Sequence, residues 1–327
     1  MGKVILSKEH GKDVADMRTA YCEEMVGMAE QDDRIVALDA DLMAAMGMKP
    51  FAEKFPERTI DCGVQEANMI GVACGLSVWG KIPFAHTFGP FCTRRACDQI
   101  FMSGAYNRAN VKVVGSDPGI TASYNGGTHM PFEDMGIMRG IPTMTVIEPT
   151  DIVMLKNLMP QIAEQYGMMY MRLVRKDVRK VYADGSTFEI GKAAKLTDGS
   201  DVTIIASGFC VAESLDAVET LKEEGISVRL LNMFTWKPLD KEAVLAAAEE
   251  TGAIVTAENH NVVNGLGSAV SELLAKENPT IVEMVGVQDE FGEVGPVDYL
   301  RERFGLTKDN IVEAVHKALE RKAEGGK

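Results

Sequence analysis

Residues 61–80 read Asp61-Cys-Gly-Val-Gln-Glu66-Ala-Asn-Met-Ile-Gly-Val-Ala-Cys-Gly-Leu-Ser-Val-Trp-Gly80. The residues leading in, Arg58 to Cys62, have strand character, and Gly63 supplies a turn. Ala67 to Leu76 then places small and apolar residues all round a helix, which is the pattern of a buried one. One carboxylate, Glu66, stands at the mouth of that helix. It reads in two ways: as a cap that complements the helix dipole, or as a proton-transfer group tuned by an apolar setting.

Outward from this stretch, strands and helices alternate. Arg34-Ile-Val-Ala-Leu-Asp39-Ala-Asp41 reads as a buried strand ending in two acids, after a long helical pattern from Lys12 to Gln31. Downstream come a strand at Lys81 to Phe88, a helical segment at about Thr93 to Tyr106, and a strand at Val111 to Gly115. Ser116 to Thr128 is a long loop rich in Gly, Ser, Asn and Pro, ending at His129, and a loop of that length and composition reads as binding or mobile. A helix at Pro131 to Arg139, a strand at Met144 to Ile147, a helix at Asp151 to Tyr166 and a strand at Met169 to Val174 follow. This alternation predicts an α/β fold with a mainly parallel sheet and helices on both faces.

The rhythm breaks between Asp177 and Ser200, where Asp184-Gly185 and Asp198-Gly199 are turn signals, so the domain linker is placed there. A second α/β pattern runs from Val202 to a terminal helix starting at Lys308. The expected organisation is two consecutive domains, residues 1–185 and 190–327.

Composition narrows the class. With 327 residues and 46% hydrophobic content the chain can supply a core to each of two domains. A formal net charge of -14 without any Lys/Arg-rich run argues against nucleic acid as a partner. No apolar run reaches membrane-spanning length and the first residues lack a signal-peptide core, so a cytoplasmic location is expected. The six cysteines (Cys22, Cys62, Cys74, Cys92, Cys97 and Cys210) show no C-x-x-C spacing and support neither a disulfide framework nor a zinc site.

Glu66, the pair Phe88 and Phe91 on a strand end, Asp98-Gln99 and Gly126-Gly-Thr-His129 are each weak signals. In that order they resemble the pyrimidine-binding domain of transketolase and its thiamine diphosphate-dependent relatives. Ser200 to Leu231 and Glu258-Asn-His-Asn-Val-Val-Asn-Gly-Leu-Gly-Ser268 look like the family's C-terminal domain. The Gly-Asp-Gly metal motif of the family's diphosphate-binding domain does not occur in the sequence. The chain therefore resembles the C-terminal subunit of a split transketolase, and the resemblance implies two three-layer α/β/α domains, a pyrimidine module followed by a smaller C-terminal domain.

By this resemblance Glu66 hydrogen-bonds a ring nitrogen of the cofactor's aminopyrimidine, which needs a carboxyl group in a water-poor setting. Phe88 and Phe91 match the aromatic pair that packs against that ring. His129 matches the histidine that hydrogen-bonds substrate hydroxyls, and Asp41 an acid that helps position the cofactor. Arg18 and Arg175 match the two arginines that hold the sugar phosphate, with Arg172 a neighbouring possibility. His260 reads as a structural or interface histidine. The resemblance further implies a partner subunit carrying the diphosphate cradle and a magnesium or calcium ion, and a heterotetramer of two chains of each kind.

Four positions depart from the family. Asp117 stands where a phosphate-binding histidine is common, Ala45 where there is a serine, Asn125 where an aspartate contacts a substrate hydroxyl, and Met130 where glutamine follows the histidine. Replacing the histidine removes a charge-assisted hydrogen bond worth roughly 1.5 to 3 kcal/mol. The added carboxylate repels an anion about 4 Å away by about 4 kcal/mol at an effective dielectric of 20. Both effects push toward an altered sugar-phosphate pose, with an acceptor that lacks phosphate, carries it elsewhere, or bears another anion such as a sulfonate. The alternatives are the beta subunit of a 2-oxoacid dehydrogenase's decarboxylating component, a 1-deoxyxylulose 5-phosphate synthase-like enzyme, and a non-catalytic scaffold of the same fold.

Overall fold

The structure is a computed structural model and describes residues 2–8, 11–176 and 178–325. Asp177, the first residue of the expected linker, lies outside these residues.

Among the described residues, twelve strands build two sheets. The first sheet contains β1 (Ile35–Asp39), β2 (Thr59–Asp61), β3 (Ile82–Phe88), β4 (Lys112–Ser116), β5 (Thr145–Ile147) and β6 (Met169–Leu173). The second contains β7 (Ala194–Thr197), β8 (Val202–Ala206), β9 (Val228–Asn232), β11 (Ala253–Asn261) and β12 (Ile281–Val287). The remaining strand, β10 (Thr235–Lys237), crosses back to the first sheet and pairs antiparallel with β5. The orders are β10-β5-β6-β4-β3-β1-β2 and β12-β11-β8-β9-β7.

Strands β1, β3, β4 and β6 are buried along their whole length. Their apolar runs are what parallel strands covered on both faces require. In the second sheet all pairings are parallel except that of β7 with β9. Strand β7 lies inside the expected linker, so the segment is part of the sheet as well as a connection.

Two helical expectations are corrected. The first helix runs from Met17 to Gln31, because the preceding residues pair with the linker instead: Asp13 N–H donates to Val178 O at 2.8 Å and Lys12 bridges Arg179. The segment Thr93 to Tyr106 is broken into Gly89–Thr93, a short turn at Cys97–Gln99 and a π-helix at Ile100–Tyr106. The break at Arg94 to Ala96 directs the two arginines toward the site described below.

In the first sheet, β2 and β3 flank β1 on opposite sides, both parallel to it. The chain thus reverses its direction of winding at β1, and a ligand crevice is expected outside the carboxyl ends of strands at such a point. Asp39, Glu66 and Phe88 all lie at those ends.

Candidate active site

Asp61, at the end of β2, organises the turn into the next helix. Its Oδ1 accepts from the Asp41 N–H at 3.0 Å and the Gly63 N–H at 2.9 Å, and Gly63 takes the left-handed conformation the turn needs. Glu66 is then the first residue of the helix Glu66–Val78, where a carboxylate also complements the dipole. The side chain of Glu66 is 2% exposed, yet its partner Arg95 is half exposed, with Arg95 Nη1 at 2.7 Å from Glu66 Oε1. A buried acid held from the solvent side by a single long side chain is open to exchange of that partner.

The aromatic group adjoins this pair. The Arg95 guanidinium lies 4.3 Å from the centroid of Phe91. Phe91 and Phe88 are 5.8 Å apart, and His129 packs edge-on against both, at 5.0 Å and 5.9 Å. On the far side the Arg175 guanidinium lies 5.1 Å from the Phe88 ring and pairs with Asp117 at 3.1 Å. Glu66, Arg95, Phe91, His129, Phe88, Arg175 and Asp117 therefore form one continuous chain of contacts, drawn from separate parts of the sequence.

The Arg175 charge is partly neutralised. Asp117 is buried, adopts a positive φ of 57° and accepts from the Ser116 hydroxyl as well as from Arg175. Burial pushes its carboxyl up from the ordinary range, and Arg175 opposes that shift. Arg18 is tied beside it, its backbone N–H donating to Arg175 O at 3.3 Å. The Arg18 guanidinium donates to Ala45 O at 2.9 Å and pairs with Asp16 at 3.2 Å. Ala45 thus meets Arg18 through its backbone oxygen.

Other expected residues sit elsewhere. Arg172 is fully buried, held by both oxygens of Asp134 and by Glu148 at 2.9 Å, so it is a structural ion-pair residue and not an anion ligand. Asp41 is exposed at φ 60° on the strand end, fixed by its backbone to Asp61. Asn125 is exposed at the end of the 3-10 segment Gly119–Asn125. Met130 is buried in an apolar cluster with Ile120, Phe132, Leu300 and Phe304, which anchors the loop where a glutamine would leave a polar group to satisfy.

His260 fits its structural reading. Its Nδ1–H donates to Asn261 O at 2.6 Å and its Nε2 accepts from the Gly136 N–H at 3.2 Å, an arrangement that requires the neutral ring. Arg94 and Arg95 went unread in the sequence. Arg94 links the aromatic segment to the histidine loop, donating to Thr128 O at 3.0 Å and pairing with Glu133 at 2.9 Å. Their signal was available in the adjacent basic residues three and four positions after Phe91.

The fold and this cluster define two consecutive α/β domains, the first with a buried acid beside an aromatic group at the carboxyl edge of its sheet. The sequence profile of the transketolase pyrimidine-binding domain matches residues 13–180, and that of the transketolase C-terminal domain matches residues 191–311. A 6-deoxy-6-sulfo-D-fructose transketolase subunit SqwH of Clostridium sp. (strain MSTE9) is 54% identical, covering 94% of this chain and 95% of that one. An apulose-4-phosphate transketolase subunit of Phocaeicola vulgatus is 35% identical, covering 90% of this chain and 94% of that one. A solved split gene transketolase, described as an inactive beta4 tetramer, superimposes with a TM-score of 0.88 at 42% identity, covering 94% of this chain and 99% of that one. The chain belongs to the transketolase family, as the C-terminal subunit of a thiamine diphosphate-dependent transketolase.

The residues present fit the cofactor's aminopyrimidine. Glu66 is a buried carboxyl group that can share a proton with a ring nitrogen and whose present partner approaches from solvent, and the Phe88–Phe91–His129 rings offer aromatic surface beside it. Among the described residues no group of three or more His, Cys, Asp or Glu side chains is arranged to hold a metal ion. None of their helices is long and apolar enough to cross a membrane.

Proposed function

We propose that this chain activates thiamine diphosphate through Glu66 for ketol transfer from a ketose bearing a sulfonate, within a complex whose other subunit cradles the diphosphate and its metal ion. When bound, the cofactor supplies the carbon nucleophile and the electron sink for cleaving the ketose. Glu66 would hold a proton-sharing hydrogen bond to the ring from its buried carboxyl group, in place of Arg95. Phe88 and Phe91 fix the plane of that ring, and His129, against both, donates or accepts at the substrate hydroxyls. Asn125 lies on the same loop as a further hydroxyl contact, and Asp41 on the strand end as a cofactor-side acid.

The Asp117–Arg175 pair carries the substrate assignment. Arg175 and Arg18 offer cationic groups to an anion, but the buried carboxylate beside Arg175 cancels part of that charge. A phosphate ester carries nearly two negative charges at neutral pH, whereas a sulfonate carries one, so the sulfonate meets less repulsion from Asp117. The 54% identical relative is named for a sulfonated ketose, which supports the same choice.

The two domains are assigned to residues 1–185 and 190–327, the first facing the cofactor ring and the second supporting assembly. The complex is cytoplasmic and contains two subunits of each kind, with magnesium or calcium held by the partner. The test is reconstitution with a diphosphate-binding partner, followed by transfer from 6-deoxy-6-sulfo-D-fructose and from phosphorylated ketoses to aldose acceptors. Preferred cleavage of the sulfonated donor is expected. Rapid turnover of xylulose 5-phosphate with ribose 5-phosphate, at the expense of the sulfonated sugar, overturns the substrate assignment.

A further inference from the structure

The loop between Asp117 and Phe132 carries Asn125 and His129, yet much of what holds it comes from the C-terminal half of the chain. Asn259, near the end of β11, is fully buried and makes a two-point bond to the loop's first turn. Its Oδ1 accepts from the Ile120 N–H at 3.0 Å, and its Nδ2 donates to Pro118 O at 3.0 Å. Its own backbone oxygen is fixed by Arg172 Nη1 at 3.1 Å. Arg172 in turn is locked by Asp134 and Glu148, so the amide stands on a rigid base.

The loop is shaped to receive that amide. Gly119, between the two bonded residues, has φ 50°, and a Cβ built there would lie on the Asn259 side chain. A non-glycine residue at 119 would meet both strain and collision. Further along, the Ser123 hydroxyl donates to Gly295 O at 2.9 Å, and Met130 packs against Gly292. Glu66, Phe88 and Phe91 stand on other elements, and the loop reaches the two rings through His129.

We propose that Asn259 is a positioning residue for the substrate side of the site, setting the register of the loop that presents His129, with its reach toward the cofactor side limited to the edge contacts of His129 on Phe88 and Phe91. This rests on the reading of His129 as a substrate-binding residue. It gives the C-terminal domain a part in sugar binding beyond assembly. Both amide bonds are to backbone groups, so the side chain is read by shape: an aspartate keeps the acceptor for Ile120 but sets an oxygen against Pro118 O.

The test uses the reconstituted two-subunit enzyme carrying Asn259→Ala, Asn259→Asp or His129→Ala. Each is measured for KM and kcat with the ketose donor, for thiamine diphosphate dissociation constant by equilibrium binding, and for amide exchange over residues 119–130. Asn259→Ala and Asn259→Asp are expected to raise the donor KM at least ten-fold, to speed exchange across the loop, and to leave cofactor affinity within two-fold. A donor KM unchanged in both variants, or a cofactor affinity lost in parallel with it, overturns the proposal. His129→Ala separates the two layers: if it raises KM while the Asn259 variants do not, the positioning role fails alone. If His129→Ala also leaves KM unchanged, the substrate reading of the loop fails with it.

Discussion

Arg95 Nη1 lies 2.7 Å from Glu66 Oε1, so the acid expected to contact the cofactor is held in this chain by a cation stacked on Phe91. The two partners differ in burial, Glu66 being enclosed and Arg95 half exposed. A pair of this kind gains modestly from its charge attraction, because solvent screens the arginine. It nevertheless spares a buried carboxylate from standing without a partner. When a ring nitrogen takes up the Glu66 hydrogen bond, Arg95 has to share or leave.

Arg95→Ala therefore separates the free and loaded states. The cofactor-free chain is expected to lose about 1 kcal/mol of stability, in keeping with a half-screened pair. The loaded complex should lose less, since Glu66 there has another partner. Denaturant midpoints measured with and without thiamine diphosphate check this. A larger loss in the loaded state would contradict the exchange of partners.

Asp117→Asn tests the origin of anion choice. The amide keeps the side-chain shape and tolerates the positive φ at this position, but removes the negative charge facing Arg175. The KM ratio of phosphorylated to sulfonated ketose is expected to fall at least ten-fold, corresponding to about 1.4 kcal/mol. Parallel change for both donors would show that Asp117 does not discriminate between them.

His260 makes stability depend on pH in the acid range. Burial, reinforced by the Arg172 charge, holds its ring down to about 4 from the ordinary 6.5. As pH falls through 6.5 the unfolded chain takes up a proton that the folded chain refuses until about 4. Stability present at neutral pH is lost across that window, by roughly 3 kcal/mol. His260→Gln should flatten this part of the profile, and an unchanged slope between pH 6.5 and 4 in the variant would remove His260 as its cause.

Several of these relationships were legible in the chain and others were not. The helix after Gly63 is visible because turn, acid and apolar run are contiguous, and Phe88 is visible because it closes a buried strand, whereas Phe91 lies in the helical turn Gly89–Thr93 and not on the strand end. The role of Arg95 is hidden, since its bond to Glu66 spans 29 residues and depends on the break in the helical segment at Arg94 to Ala96. The strand at Thr235–Lys237 is only three residues long, too short for periodicity, and its partner lies in the other half of the chain. Arg172 reads as a candidate anion ligand from its place beside Arg175. The pleat decides otherwise, because it sends Arg172 inward to Asp134 and Glu148. Asn259 belongs to a stretch that resembles the family's C-terminal domain, but its contact with Pro118 spans 141 residues and leaves no local pattern.

The most direct measurement of the central claim is steady-state ketol transfer by the reconstituted complex with wild-type chain and with Glu66→Gln. The glutamine keeps the shape at the helix mouth and removes the carboxylate that the proton-sharing bond requires. The account predicts a fall in kcat of at least about 100-fold, the usual scale for a proton-transfer group, with an unfolding midpoint within a few degrees of wild type. Undiminished turnover by the Glu66→Gln complex would contradict it.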